Sequence, residues 1–371
     1  MTNYSSSIPE NQKNEYEPYD TVDFMVTFQG QSLQLGSVKL EGTVDVTHNG
    51  LFLDRPANQN LDIKYDPMVG AHAVVESVQT EMLGEVFESL NEYPRMVKQS
   101  AVARNSKQDM FNSSNVAEMR CPHSIVSNGI LKGSGVRNQL TTRLRDPPDF
   151  SIKLDNILNS STDLLPYDRT GPIRVSLNLS RVESFLYGED VDENTSYSLS
   201  NLRLCYYTVD GMENRAPIEL RRKLNIKQSL QSNLSNVATK VPSNSVEAMT
   251  ASFQIQQNEN SYKNNNLILE KVPSLSELTF LFNDQSNAVV SFVIKSNVEV
   301  LERYVEALGE TKRNDLAVCN MNNNEGYGIG LRMDPGPVDL SNQKFSVQLN
   351  SGISSNKPLI MYMYFHSVLS I

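Results

Sequence analysis

The chain has 371 residues, of which 39% are hydrophobic and 20% are charged, and its formal net charge is −10. This length favours about two domains, and the abundance of Asn and Ser favours turn-rich β structure over helical bundles. Because an acidic surface repels a polyphosphate backbone, the charge balance argues against packaging a genome by direct charge contact.

The first 20 residues, MTNYSSSIPENQKNEYEPYD, are polar and acidic with scattered tyrosines. They contain no basic stretch followed by an apolar one, as a secretory signal would. No apolar run in the sequence approaches the roughly 20 residues that span a bilayer. We therefore expect a soluble protein in which residues 1–20 form a mobile arm that can order against a neighbour.

Alternating side chains predict antiparallel strands from residue 21 onward. The segments TVDFMVTFQGQSLQLG and SVKLEGTVDVTHNG alternate apolar or small residues with polar ones between Gly-containing turns. The segment HAVVESVQTEML continues this pattern, and Gly84 supplies the next turn. Each such strand is expected to bury one face.

A short helix is predicted after Gly84. Pro94 suits the first turn of a helix, where its missing N–H costs nothing. Four apolar residues fall roughly on one helical face, namely Phe87, Leu90, Val97 and Ala101. The polar residues 105–146 then predict a long excursion between strands, closed by Pro147 and Pro148.

The segment PIRVSLNLSRV gives the clearest strand pattern in the chain. Its apolar residues point to one side, and they are Ile173, Val175, Leu177 and Leu179. After an acidic loop, YSLSNLRLCYYTV places Leu202, Leu204 and Tyr206 on one face, and DGMENRAP supplies turn residues. Both segments therefore predict half-buried strands.

The second half repeats this pattern from a domain boundary that we place near Gly211. Its strand-like segments are MTASFQIQ, LTFLFND, AVVSFVIKSNVEVLERYV, FSVQLNSG and PLIMYMYFHSVLSI, although VEVLERYVEALGE fits either a helix or a strand. The segment FSVQLNS echoes IRVSLNLS 172 residues later, and an aromatic strand follows each. Length, turn density and this echo predict two tandem β-sandwiches, over residues 21–210 and 211–371.

The cysteines and histidines give no disulfide or metal pattern. Three widely spaced cysteines without CxxC spacing predict reduced thiols, and they are Cys121, Cys205 and Cys319. The four histidines are equally scattered, at His48, His72, His123 and His366. Since His72 and His366 lie in alternating patterns, packed or surface histidines are favoured over metal ligands.

The acidic loop GEDVDENTS is the one segment with calcium-loop character. Asp190, Asp192 and Asn194 stand at alternate positions, as convergent oxygen ligands do. However, Thr195 occupies the place where an EF-hand needs Gly, and no Glu stands at the twelfth position. We interpret residues 189–194 as a solvated acidic loop, with a divalent-cation site as the less favoured alternative.

No catalytic, cofactor-binding or metal-ligating residue is assigned from the sequence. KGSGVR and GYGIG do not continue into a phosphate-binding motif and are interpreted as turns. No GxSxG elbow or HExxH pair is present. Four glutamates near the predicted turn and helix are interpreted as structural, and they are Glu76, Glu85, Glu88 and Glu92.

Three segments together resemble the double jelly-roll major capsid proteins of tailless icosahedral viruses with an internal membrane. LDIKYDPMVGAHAVVESVQTEMLGEVFESLNEYPRMVKQ resembles the early region of that family. FSIKLDNILNSSTDLLPYDRTGPIRVSLNLSRVES resembles its last strands of the first jelly roll, and YGIGLRMDPGPVDLSNQKFSVQLNSGISSNKPLIMYMYFHSVLSI resembles its ending. The resemblance covers roughly residues 60–104, 150–210 and 325–371.

The resemblance implies an all-β fold of two tandem eight-stranded jelly-roll sandwiches with short inserted helices. It implies a non-enzymatic shell protein that forms homotrimeric, pseudo-hexagonal capsomers. The expected partners are neighbouring capsomers, penton and minor capsid proteins and an internal viral membrane, without direct nucleic-acid binding. The protein would be made in the host cytoplasm and reside in the capsid shell of the virion, bacteriophages included, without a cofactor.

Two other classes remain open at this level. A β-sandwich receptor- or glycan-binding module, such as a spike or adhesin, would need a cluster of exposed aromatic residues and a metal loop, and the absence of Trp weakens it. A β-sandwich hydrolase would need a convergent pair of carboxylates, which no segment suggests.

Overall fold

The computed structural model describes residues 2–52, 61–104, 117–120, 149–211, 216–282, 290–293, 296–309, 327–334 and 336–371. The α-helices are α1 (Tyr93–Arg104), α2 (Tyr167–Thr170), α3 (Val182–Phe185) and α4 (Asn297–Ala307). The strands are β1 (Thr2–Ser7), β2 (Thr21–Val26), β3 (Gln31–Gln34), β4 (Lys39–His48), β5 (Leu51–Phe52), β6 (Lys64–Tyr65), β7 (Val75–Met82), β8 (Glu85–Leu90), β9 (Asp149–Lys153), β10 (Leu164–Pro166), β11 (Ile173–Leu179), β12 (Leu186–Tyr187), β13 (Thr195–Asp210), β14 (Glu219–Leu230), β15 (Leu234–Lys240), β16 (Val246–Ile255), β17 (Glu277–Phe282), β18 (Val290–Val293), β19 (Ile329–Arg332), β20 (Lys344–Asn350) and β21 (Leu359–Ser370).

Strands β14 to β21 form a jelly roll, which we call the second roll. One antiparallel sheet has the order β14-β21-β16-β19, and the other has the order β15-β20-β17-β18. The chain passes between the two sheets along the Greek-key path of this architecture.

Strands β1 to β13 form the first roll, and eight of them follow the same order as the second roll. One antiparallel sheet contains β1-β13-β4-β9, which matches β14-β21-β16-β19 strand for strand. The other has the order β2-β11-β7-β8, which matches β15-β20-β17-β18. Strands β3, β5 and β10 extend the first of these sheets, and β6 pairs with β12. The predicted double jelly roll is therefore confirmed.

The prediction of a mobile arm over residues 1–20 is wrong. Residues Thr2–Ser7 pair along β13, from Thr2 opposite Val209 to Ser7 opposite Leu204. Further along, the backbone of Tyr16 exchanges two hydrogen bonds with Leu199, and its ring is buried. A jelly roll needs a first strand beside its last one, and these residues supply it through backbone hydrogen bonds that need no apolar side chains.

The segment GAHAVVESVQTEML is partly strand and partly helix. Residues Gly70–Val74 form a 3₁₀-helix, which corrects the continuous strand expected there, and β7 begins at Val75. Leu83 and Gly84 both have positive φ, 55° and 76°, as the two central residues of a type I′ hairpin turn require. The predicted turn is therefore confirmed, and so is a helix with Pro94 in its first turn. The helical face predicted from four apolar residues is wrong in part, because Phe87 and Leu90 lie on β8 and only Val97 and Ala101 lie on α1.

The segment VEVLERYVEALGE is helical where residues 297–307 form α4. The hydroxyl of Ser296 caps this helix by accepting from the N–H of Glu299 at 3.3 Å. Apolar residues at three- and four-residue spacing are buried, and they are Val300, Leu301, Tyr304 and Val305. In each roll a helix thus connects the same pair of matched strands, α1 between β8 and β9 and α4 between β18 and β19.

The sequence echo between the halves corresponds to matched strands. Val175 and Leu177 lie on β11, and Val347 and Leu349 lie on β20, the second strand of the equivalent sheet. All four side chains are buried. Each roll closes on a long aromatic strand, β13 or β21. No helix within the described ranges is both long and apolar enough to cross a membrane.

Candidate functional site: the seam between the rolls

The two rolls meet along the last strand of the chain, which is buried on both faces from Leu359 to Phe365. Residues on its inner side pack in the core of the second roll, and they are Met361, Met363 and Phe365. Residues on its outer side pack with the hydrophobic cluster of the first roll, and they are Ile360, Tyr362 and Tyr364. We call this contact, formed by β8 and α1 on one side and β14, β16 and β21 on the other, the seam.

Glu88 is a carboxylate shared by the two rolls. Its side chain is 1% exposed on β8. One carboxylate oxygen accepts the N–H of Ile157 in the first roll at 2.7 Å, and the other accepts the N–H of Lys223 in the second roll at 2.9 Å. Burial raises the pKa of Glu88 to about 7, although both N–H groups and the Lys223 ammonium favour the ionised form. The buried carboxylate of Glu88 on β8 thus links the first roll to Lys223 on β14 of the second roll, 135 residues later in the sequence.

The start of α1 provides a second set of contacts across the seam. The Tyr364 hydroxyl donates to the main-chain carbonyl of Glu92 at 2.9 Å. The guanidinium of Arg95 lies 4.2 Å from the ring centroid of Tyr362, as a cation–π contact. Further along α1, Gln99 donates to the Ser252 hydroxyl on β16 at 2.9 Å. The outer face of the second roll is therefore covered by the helix of the first.

A buried ion pair anchors α1 to a loop from each roll. The Lys98 ammonium lies 2.8 Å from the Asp66 carboxylate, and both side chains are 1% exposed. Asp66 also accepts the backbone N–H groups of Met68 and Val69, and the side-chain amide of Asn265 from the second roll. Such a pair withstands burial only when its remaining hydrogen-bonding capacity is satisfied, and here four donors surround one carboxylate.

The seam is electrostatically complementary. Strand β14 presents cations, and carboxylates of the first roll face them: Lys223 pairs with Asp155, and Lys227 pairs with Glu92. Arg222 donates to the carbonyl of Phe87 at 3.2 Å, and burial lowers its pKa. Opposite charges on the facing surfaces of the two rolls fix the register of one roll against the other.

A cleft of about 640 Å³ lies beside the seam. It is lined by residues of both rolls, including Asn156 and Ser160 from the first and Arg221 and His366 from the second. The charges at its wall are mostly neutralised locally, as between Arg221 and Glu247 at 3.2 Å. This cleft therefore has the balanced lining of a contact region rather than a site that selects a charged ligand.

The described histidines are structural. His72 is buried, with Nδ1 2.8 Å from the Tyr93 hydroxyl, which itself accepts the N–H of Asp155. Burial lowers the pKa of His72, so the neutral ring is favoured. His48 contacts the Thr195 hydroxyl at 3.0 Å, and His366 contacts Thr250 at 3.2 Å. The fourth, His123, lies outside the described residues.

Cys205 is buried on β13, and burial raises the pKa of its thiol. Cys121 and Cys319 lie outside the described residues, as does the KGSGVR segment. Within the ranges that the structure describes, no three His, Cys, Asp or Glu side chains are grouped so as to hold a metal ion.

The acidic loop uses its carboxylates to hold its own backbone and that of a neighbouring segment. Asp190 accepts the N–H of Asp62 at 2.5 Å, and Asp192 accepts the N–H of Asn194 at 2.9 Å. This N–H lowers the pKa of Asp192. Asp190 and Asp192, whose alternate spacing resembles a calcium loop, therefore each accept a backbone N–H.

The interpretation of GYGIG as a turn is wrong for its described part, because Ile329 and Gly330 begin β19. A Cβ on Gly330 would lie 2.6 Å from the Cβ of Ala307 and 2.9 Å from the Cα of Tyr304. Glycine is therefore needed at this point for the close approach of α4 to the strand.

The four glutamates have different roles, and the sequence did not distinguish them. Glu85 is exposed at the start of β8, whereas Glu88 is buried three residues later. Burial also raises the pKa of Glu76. The signal that could have singled out Glu88 is its place two residues before Leu90, on the same face of β8, but its partners come from segments that only the fold brings near.

Comparisons with known proteins give the fold. No family model matches the sequence, and no curated protein matches it. The chain superposes on a quasi-atomic model of the PBCV-1 virus capsid with a TM-score of 0.56 and 9% identity, over 100% of this chain and 94% of that one. The Faustovirus major capsid protein gives 0.55 and 9%, over 100% and 90%. The STIV MCP gives 0.52 and 8%, over 99% and 96%. These are double jelly-roll proteins, and this chain has their fold along almost its whole length.

Proposed function

We propose that this protein is a major capsid protein that builds the shell of an icosahedral virion. The observation that carries the proposal is the pair of rolls with matched strand order, locked side by side by the seam. A unit with internal two-fold repetition presents two similar blocks for every chain, so three chains give six blocks around one axis. Such a pseudo-hexagonal capsomer can tile a flat facet.

The named roles of the fold neighbours support this proposal. The Faustovirus protein is a major capsid protein, and the PBCV-1 match comes from a virus capsid. The seam is filled with hydrogen bonds and ion pairs that hold the rolls rigidly, as a load-carrying shell requires. The function therefore lies in surfaces and edges rather than in a catalytic pocket, and we assign no enzymatic activity.

The proposal includes the domain division and the partners. The first roll would extend from β1 to the end of β13 near Asp210, and the second from Gly211 to Ile371. The capsomer would contact neighbouring capsomers, penton and minor capsid proteins, and an internal membrane beneath the shell. The net charge of −10 supports a shell that does not itself bind the genome.

Light scattering coupled to size-exclusion chromatography tests this function. We expect a species of three times the 41.6 kDa of one chain, and hexagonal blocks in electron micrographs of the same fraction. A stable monomer would contradict the capsid assignment. A monomer that binds immobilised glycans would favour the receptor- or glycan-binding class instead.

A further inference from the structure

The buried cluster around Asp66 holds an amine and a carboxamide on one carboxylate oxygen. Lys98 Nζ on α1 lies 2.8 Å from Asp66 Oδ2. Asn265, in the segment between β16 and β17, donates from Nδ2 to the same oxygen at 2.7 Å. The side chains of Lys98 and Asp66 are 1% exposed, and Asn265 is partly buried. A nucleophile, a proton-transfer group and an acyl group are thus held together away from bulk water.

The Asn265 amide is oriented as the electrophile of an acyl transfer. Its Oδ1 accepts the N–H of Leu267 at 2.9 Å. This backbone donor lies where negative charge develops on the oxygen when a nucleophile attacks Cγ. Its Nδ2, the atom that leaves in such a reaction, contacts Asp66 Oδ2. Because Cγ is bonded directly to this nitrogen, little movement is needed for Lys98 Nζ to reach it.

The two oxygens of Asp66 have different partners. Oδ1 accepts the N–H groups of Met68 and Val69 at 2.8 and 3.1 Å, which fixes the carboxylate with Oδ2 toward Lys98 and Asn265. Transfer of one proton from the ammonium to Oδ2 produces a neutral amine, the form of lysine that attacks a carbonyl carbon. Burial lowers the cost of this transfer, because it disfavours both charged forms.

We propose that Lys98 and Asn265 form an intramolecular isopeptide bond, with Asp66 as the general acid and base. The Nζ–Cγ bond forms and the Cγ–Nδ2 bond breaks. Asp66 carries two protons in turn from Nζ to Nδ2, which leaves as ammonium, so the carboxylate is regenerated. No oxidant, reductant or cofactor takes part, and each chain reacts once.

The bond joins the two rolls covalently, because it ties α1 of the first roll to a loop of the second. A covalent link between residues far apart in sequence restricts the unfolded chain, and this stabilisation grows with the length of the closed loop. The rolls therefore stay linked even when the seam is broken. The proposal is independent of the proposed function, since all three side chains belong to one chain.

Mass spectrometry of the intact full-length protein tests the bond without any variant. Loss of ammonia should lower the mass of the purified chain by about 17 Da, and a tryptic digest should contain a branched peptide that joins Lys98 to Asn265. An unmodified mass would overturn the proposal. A loss of about 17 Da confined to one linear peptide, as in a cyclised Asn, or of about 18 Da in a Lys98–Asp66 link, would equally overturn it.

Variants separate the role of Asp66 from that of the reacting groups. Asp66→Asn keeps the amine and the amide, but bond formation should slow by about 10²–10⁴-fold without the proton-transfer group. Asn265→Ala lacks the electrophile and should keep its full mass. Its matched control is Asn264→Ala, at the exposed neighbouring asparagine, which should still lose ammonia. Circular dichroism checks that each variant is folded, and a folded Asp66→Asn that reacts at the wild-type rate would refute the role given to Asp66.

Discussion

The hydroxyl of Tyr364, on the last strand, donates a hydrogen bond to the carbonyl of Glu92, which lies 272 residues earlier. Glu92 has a positive φ of 53°, a backbone conformation that non-glycine residues adopt at a cost. It lies between the end of β8 and the start of α1. The final strand of one roll therefore stabilises the tight junction that begins the helix of the other.

Removal of this hydroxyl should weaken the whole chain modestly. In Tyr364→Phe the ring stays but the carbonyl of Glu92 loses its buried donor, so we expect the free energy of unfolding to fall by about 1 kcal/mol. Urea denaturation measures the change. Tyr19→Phe, at a tyrosine that is 67% exposed, is the control and should leave the value unchanged. Equal stabilities for the two variants would contradict the role given to Tyr364.

Glu88 should make stability depend on pH. Its pKa of about 7 lies above its ordinary value of 4.5, so between these values the folded chain keeps a proton that the unfolded chain releases. The contribution of Glu88 to the free energy of unfolding must then fall as pH rises from about 4.5 to about 7, by roughly 3 kcal/mol at most.

The variant Glu88→Gln isolates this contribution. Its amide leaves one N–H of the seam without an acceptor, so we expect lower stability at every pH, but also less decline between pH 5 and pH 7. Denaturant titrations across this range measure the slope for wild type and variant. Glu85→Gln, at the exposed glutamate of the same strand, should keep the wild-type slope. An unchanged slope in Glu88→Gln would show that other groups set the dependence.

The Lys98–Asp66 pair should be sensitive to the loss of one partner. Lys98→Met keeps the aliphatic stem but leaves the Asp66 carboxylate buried without its cation, and removal of one member of a buried pair costs about 3–5 kcal/mol. Chemical denaturation measures the loss. Lys240→Met, at an exposed lysine on β15, is the matched control and should change the free energy of unfolding by less than about 0.5 kcal/mol.

Gly330 should not tolerate a side chain. The Cβ of Gly330→Ala would overlap the backbone of α4, and forced overpacking of this kind costs about 1–3 kcal/mol. Gly336→Ala is the control, because a Cβ at that position meets no atom within 4 Å. Thermal unfolding of the two variants distinguishes them, and equal melting temperatures would mean that α4 moves away freely.

Alternation along the chain predicted the strands with one buried face. In β11, Ile173, Val175 and Leu177 are buried and the residues between them are less so, because a two-residue period is a local property of extended backbone. The turn at Gly84 was also predicted from local sequence, because glycine tolerates positive φ. The position of Pro94 in the first turn of a helix was predicted from its missing N–H. The repetition of these patterns in the two halves indicated the double jelly roll.

The predictions from sequence were wrong where an element is held by backbone pairing or by close packing and carries no alternating pattern of apolar side chains. Strand β1 is polar throughout and is held by β13, so no apolar period marked it. Gly330 has weak strand propensity, and only the approach of α4 explains a glycine there.

By itself the sequence determined the local elements and their repetition, because periodicity and turn preference act over a few residues. Only the tertiary structure decided which carboxylate is shared by the two rolls and which tyrosine of the second roll is covered by the first. Glu88 meets Lys223 and Tyr364 meets Glu92 across 135 and 272 residues, and no local pattern encodes a contact that forms only when two complete rolls pack together.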